Sequence, residues 1–176
     1  DKRDNARKPT RGFYYRQEVK HFQGISQYAN DYTSVNAELR LFWSFKYLSK
    51  LVWANRVGGG KNFGTYEYFQ GQILGGMDNL RGFRRYRYNG DAMFYNNLEF
   101  RLQLFNFNNP ILPATIGMIG FHDIGRVWVK GENSGTWHNS LGGGISIAPI
   151  NQFVATFSVG FNKEETLPFF SFGYQF

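Results

Sequence analysis

Alternation of apolar and polar residues at a period of two runs through most of this chain, and it constrains the fold more than any other feature. In Thr33–Leu48, Val35, Ala37, Leu39, Leu41, Trp43, Phe45 and Tyr47 fall on one side. Asn36, Glu38, Arg40, Phe42, Ser44 and Lys46 fall on the other. A strand turns successive side chains to opposite faces, so the pattern gives one apolar and one polar face; a helix would smear both sets around its surface. Phe94–Phe105 repeats it, with Phe94, Leu98, Phe100, Leu102 and Leu104 opposing Tyr95, Asn97, Glu99, Arg101 and Gln103. The C-terminus does so again, with Phe170, Phe172, Tyr174 and Phe176 opposing Phe169, Ser171, Gly173 and Gln175. Weaker alternation covers Gly12–Phe22, Leu51–Gly58, Pro113–Val129, Leu141–Ala148 and Phe153–Phe161, which completes a set of eight strands.

The connections differ in kind. Leu48–Lys50, Asn106–Leu112 and Pro149–Gln152 are short, whereas Gln23–Tyr32, Gly59–Asp91, Lys130–His138 and Asn162–Leu167 are mostly longer. Short turns at one end and long loops at the other are the asymmetry of an outer-membrane barrel. Composition separates this from a soluble β-sandwich, which also alternates but turns its second face to water. Aromatic residues make up 19% of the 176 residues, more large rings than a soluble core of this size can hide. Mean hydropathy is nevertheless −0.44, and no apolar run is long enough for a membrane-spanning helix. The expected fold is therefore all-β, a transmembrane antiparallel β-barrel wall with an apolar outer face, aromatic girdles and a polar interior.

Other classes lose support. The chain has no cysteine, which removes disulfide frameworks, thiolate metal sites and cysteine nucleophiles together. The net charge of +7 is dispersed except at Arg84–Tyr88, so no nucleic acid is expected as a partner. His21, His122 and His138 lie on different elements without metal-ligand spacing. Gly144-Ile145-Ser146-Ile147-Ala148 lies within a strand rather than on a strand-to-helix turn, which speaks against a nucleophile elbow. No enzymatic activity and no cofactor are expected. No signal peptide opens the sequence, as expected of a mature chain or a fragment.

The connection Gly59–Asp91 is longer than loops without a function usually are. It holds Leu80-Arg81-Gly82-Phe83 and then Arg84, Arg85, Tyr86, Arg87 and Tyr88. An arginine beside a glycine can extend its planar fork to a carboxylate and bind it through two hydrogen bonds. Two carboxylates, Glu99 and Asp123, stand on predicted polar faces, so a loop folded back inward would be pinned by Arg81 against that pair. Arg84, Arg85 and Arg87 fit either anionic headgroups or a cation-rich pore, or else a solvated loop. Gly142, Gly143 and Gly144 mark a bend, a close approach or room for the loop.

Leu80-Arg81-Gly82-Phe83 resembles the loop motif of the BamA/TamA (bacterial surface antigen) superfamily of outer-membrane barrels, and Phe121, Asp123 and Gly125 resemble its F-x-D-x-G strand motif. Asp1-Lys2-Arg3-Asp4 with Pro9 and Gly12 is similar to the turn that introduces a strand midway round those barrels. Phe172, Tyr174 and Phe176 resemble its C-terminal insertion signal, with the usual glycine displaced to Gly173. These matches span residues 1–176 in the family's order. The resemblance implies the C-terminal half of a sixteen-stranded barrel, with loop 59–91 entering the lumen and Arg81 contacting Asp123 and Glu99, with Phe121 nearby.

Size points the same way. The interior of an eight-stranded barrel is filled by its own side chains, leaving no room for such a loop. Either the loop lies outside, or the eight strands belong to a larger wall completed by further sequence, a second copy or another chain. The resemblance implies an integral protein of a Gram-negative outer membrane that assists assembly, insertion or translocation of polypeptides, or of lipids. Its expected partners are outer-membrane lipid and a polypeptide substrate. The alternatives are an anchor or export module for a fused or partner enzyme, and a passive pore.

Overall fold

In the computed structural model, residues 1–25, 30–45, 50–107, 113–132, 135–149 and 153–176 are described. They form strands β1 (Gly12–Phe22), β2 (Tyr32–Phe45), β3 (Leu51–Gly64), β4 (Gln72–Leu74), β5 (Tyr88–Gly90), β6 (Ala92–Phe107), β7 (Ala114–Trp128), β8 (His138–Pro149), β9 (Ala155–Phe161) and β10 (Thr166–Phe172). Eight of these make one antiparallel sheet in the order β1-β2-β3-β6-β7-β8-β9-β10, and β4 and β5 form a separate ribbon. Among the described residues β1 pairs only with β2 and β10 only with β9, so the sheet is open with a free edge at each end. Among the described residues no helix is long and apolar enough to cross a membrane, a test that does not bear on strands.

The register keeps the two faces apart across the whole sheet. Arg40, Arg56 and Asn97 follow one another across β2, β3 and β6, and Asp123 and Ser140 continue the row on β7 and β8. The connection between β3 and β6 folds over this polar face. The opposite, bare face carries Trp43, Phe100, Met118, Ile145, Phe157 and Phe170, all exposed. A contiguous apolar surface of this kind needs a non-aqueous neighbour.

Three boundaries differ from the sequence reading. First, β3 continues to Gly64, so Gly59–Gly64 are strand and the long connection begins at residue 65. Gly59 and Gly60 read as a loop, but neighbouring side chains fill the space beside Gly60: a Cβ there would lie 2.1 Å from Asn36 Oδ1 and 2.5 Å from Gln72 Oε1. Secondly, Tyr174 and Phe176 do not continue the bare-face register of Phe170 and Phe172. The strand ends at Phe172, Gly173 has φ +107°, and Phe176 turns back to pack with Phe42 and Ala54 on the loop-covered side. Thirdly, a bulge between Gln103 and Phe105 resets β6, bringing Asn106 opposite Thr115. Lys46, Tyr47, Leu48, Ser49 and the connecting residues 26–29, 108–112, 133–134 and 150–152 lie outside the described residues.

Candidate functional site

The long connection is held at its base before it reaches the sheet. Gln72 at the start of the ribbon donates to Asn62 Oδ1 at 2.7 Å and to Ser34 Oγ at 3.1 Å. Asn79 ties the following turn, accepting from Gly75 N–H at 2.8 Å and donating to the Ile73 carbonyl at 2.8 Å. Its own carbonyl accepts from Asn97 of β6 at 2.9 Å. Leu74, Leu80, Phe83 and Tyr95 then close a buried apolar cluster beneath the loop. Leu74 packs where Gly125 lacks a side chain, since a Cβ there would stand 2.9 Å from its methyl groups.

These anchors deliver Arg81 to β6 and β7. Its Nε and Nη2 donate to the two oxygens of Asp123 at 2.8 and 2.9 Å, and its backbone N–H donates to the same carboxylate at 3.0 Å. Nη1 donates to Glu99. The guanidinium carbon lies 3.7 Å from the centre of the Phe121 ring, close enough for a cation–π contact. Arg81, Glu99 and Asp123 are all essentially buried, so each charge depends on the others for solvation. Glu99 also accepts from Arg101 Nε at 2.7 Å, and Arg101 Nη2 donates to the Phe176 carbonyl at 2.6 Å. One chain of charges thus runs from the loop through β7 and β6 to the C-terminal segment.

Gly82 permits the close approach. Its φ is +88°, and a Cβ there would meet Ser140 at 2.9 Å; a Cβ on Gly160 would in turn meet the Gly82 backbone at 2.7 Å. Ser140 donates to the Arg81 carbonyl and Asn162 to the Gly82 carbonyl, which links the motif to β8 and to the β9–β10 turn. Phe83 is buried edge-on to Tyr88 and His138. The space beside Gly142 belongs to Phe121, whose ring a Cβ would meet at 2.1 Å, and Gly144 accommodates the β9 backbone. Neither glycine makes room for the loop itself.

Sequence reasoning missed a second group. Glu38 of β2 accepts from Arg40 at 2.5 Å, from Arg56 Nε at 2.8 Å and from the Tyr95 hydroxyl at 2.6 Å, while Arg56 also donates to the Asp78 carbonyl of the loop. Shared register on one polar face was the available signal, but four arginines on that face, Arg16, Arg40, Arg56 and Arg101, gave no way to choose partners. Outside, Arg84 pairs with Glu165 and Arg87 with Glu164, both at 2.9 Å, and Arg85 lies 3.7 Å from Asp78. Tyr88 stacks on His138 at 3.7 Å and donates to Glu164. Burial and the Glu164 charge push its hydroxyl up to about 12. At the N-terminus Asp1 holds Arg3 at 2.8 Å, and Asp4 accepts from Thr10 and Arg11, closing the turn before β1.

The arrangement anchors a loop to the sheet. Among the described residues no cluster of three or more histidine or acidic side chains could hold a metal ion. Of the C-terminal residues, Phe172 is 86% exposed on the bare face, whereas Phe176 is buried and Tyr174 lies beside Arg101, at 4.1 Å. The family model described as the Omp85 superfamily domain matches residues 1–174. No curated protein matches the chain.

Proposed function

The chain belongs to the Omp85 superfamily, whose members are outer-membrane proteins of Gram-negative bacteria, and on that premise we propose that it is part of the wall of a larger outer-membrane barrel that assists polypeptide assembly, insertion or translocation. The observation that carries this reading is the pinning of the loop by Arg81 to one face of a sheet whose opposite face is bare and aromatic and whose two edges are free. A loop of this size needs a lumen wider than eight strands enclose. The missing strands come from further sequence, a second copy or another chain.

Such work needs no covalent chemistry. Free edges of β1 and β10 offer unpaired backbone groups to an incoming strand, and burying its apolar face in lipid supplies the driving force. Within the lumen, the loop and the C-terminal turn together fill one side of the wall, which favours a gated route over a passive pore. The reading is tested by reconstituting the protein in lipid vesicles with an unfolded outer-membrane barrel protein as client. Faster client assembly than in empty vesicles supports it. Steady ion conductance with no effect on client assembly supports the passive pore.

A further inference from the structure

We propose that Lys8 and Lys50 form a binding site for a phosphoryl oxyanion at the end of the sheet opposite the long loop. A cavity of about 550 Å³ opens there, within the range of small-molecule sites. It is lined by Lys8, Lys50, Ser44, Gln103 and Ser146 among others. A second cavity of about 220 Å³ shares Lys8, Lys50 and Gln103 with it, so the two lysines stand where the cavities join.

The charges in this region do not balance as they do elsewhere on the same face. Arg40, Arg56, Arg81 and Arg101 each contact a carboxylate. Lys8 and Lys50 make no ion pair among the described residues. The carboxylate on the wall of the cavity, Asp4, is occupied by the Thr10 hydroxyl at 2.5 Å and by the backbone N–H groups of Asn5, Thr10 and Arg11. The third cation on the wall, Arg101, is taken up by Glu99 and the Phe176 carbonyl. Burial and the neighbouring Lys50 charge pull the Lys8 ammonium below its usual range, the direction expected where two like charges share a site without an anion.

The backbone holds both lysines in place. Lys50 has φ +54°, a left-handed conformation uncommon for a side chain other than glycine or asparagine. Lys8 sits in the Asp4-centred turn, its N–H donating to Asn5 Oδ1 at 3.0 Å. Two ammonium groups are matched by a group carrying up to two negative charges and several acceptor oxygens, which a phosphoryl group supplies and a lone carboxylate does not. Ser44, Ser146 and Gln103 offer further donors to those oxygens. The same chemistry is carried by a lipid headgroup and by a soluble phosphate.

Calorimetric titration of the full chain in an uncharged detergent distinguishes the sources. One arm uses inorganic phosphate and the other a short-chain phosphatidic acid below its micellar concentration. Binding of phosphate alone identifies a soluble ligand; binding confined to the lipid identifies a headgroup. In either case K8Q together with K50Q weakens binding about tenfold or more, while K50R retains it. K50G removes the charge while relieving the left-handed backbone, so weakened binding there cannot be ascribed to misfolding. K61Q, on the bare face of β3, leaves binding unchanged. Absence of binding by both probes, or wild-type affinity in the double variant, overturns the site.

Discussion

Arg81 and Asp123 meet through three hydrogen bonds, two from the guanidinium and one from the Arg81 backbone, although 42 residues separate them in the chain. The pair is out of water, with Phe121 on one side and Glu99 as the second acceptor. Removing one member strands a buried charge. R81A is expected to cost about 3–5 kcal/mol of stability. D123A added to that background costs little more, because its partner is already gone. The check is thermal unfolding in detergent of the two single variants and the double; fully additive losses contradict the contact.

Gly82 tests the close approach independently of charge. G82A places a methyl against Ser140 at a φ that L residues rarely adopt, at an expected cost of about 1–3 kcal/mol. Trypsin reports the consequence: cleavage after Arg84 or Arg85 speeds up in G82A relative to the parent. Unchanged cleavage would mean that the motif does not hold the loop down.

The outer tethers give a pH dependence. Hydrogen bonds from Arg87 hold the Glu164 carboxyl below its ordinary value of 4.5, which outweighs the opposing effect of burial. A lowered folded value means that the tether contributes fully above pH 4.5 and is lost as pH falls through the lower folded value. Protection of the amides at residues 84–88, measured relative to their intrinsic exchange rates, should therefore fall on acidification below pH 4.5, and E164Q should show the lower protection at neutral pH.

The two C-terminal phenylalanines should behave differently. Phe176 is buried against Phe42 with ring centroids 6.3 Å apart, whereas Phe172 is 86% exposed. F176A is expected to cost about 3 kcal/mol in detergent, and F172A to stay within about 0.5 kcal/mol. Equal losses in thermal unfolding would contradict the inward turn at Gly173.

How much of this was legible in the sequence depends on the range of each interaction. Alternation in Thr33–Leu48 and Phe94–Phe105 reported the faces of β2 and β6 directly, because side-chain direction in a strand is local. Glu99 and Asp123 stood on polar faces opposite a loop arginine beside glycine, so their meeting with Arg81 was legible as well. Gly59–Gly64 was not legible as strand, since what fits glycine there comes from elements distant in sequence, such as Asn36 and Gln72 in the space beside Gly60. The inward turn of Phe176 was hidden for the same reason: its alternation continues past Gly173, and only Arg101, Phe42 and Ala54 draw it to the other face. Arg101 itself was placed on the correct face, but its bond to the C-terminal carbonyl has no local signal.

The central claim is that these eight strands are part of a wall larger than they enclose by themselves. The most direct measurement is the mass of the protein in the detergent-extracted species, by native mass spectrometry of the 20.4 kDa chain. The account predicts a species heavier than 20.4 kDa, completed by further sequence, a second copy or another chain. A homogeneous species of 20.4 kDa, its β1 and β10 amides both protected from exchange, would contradict it.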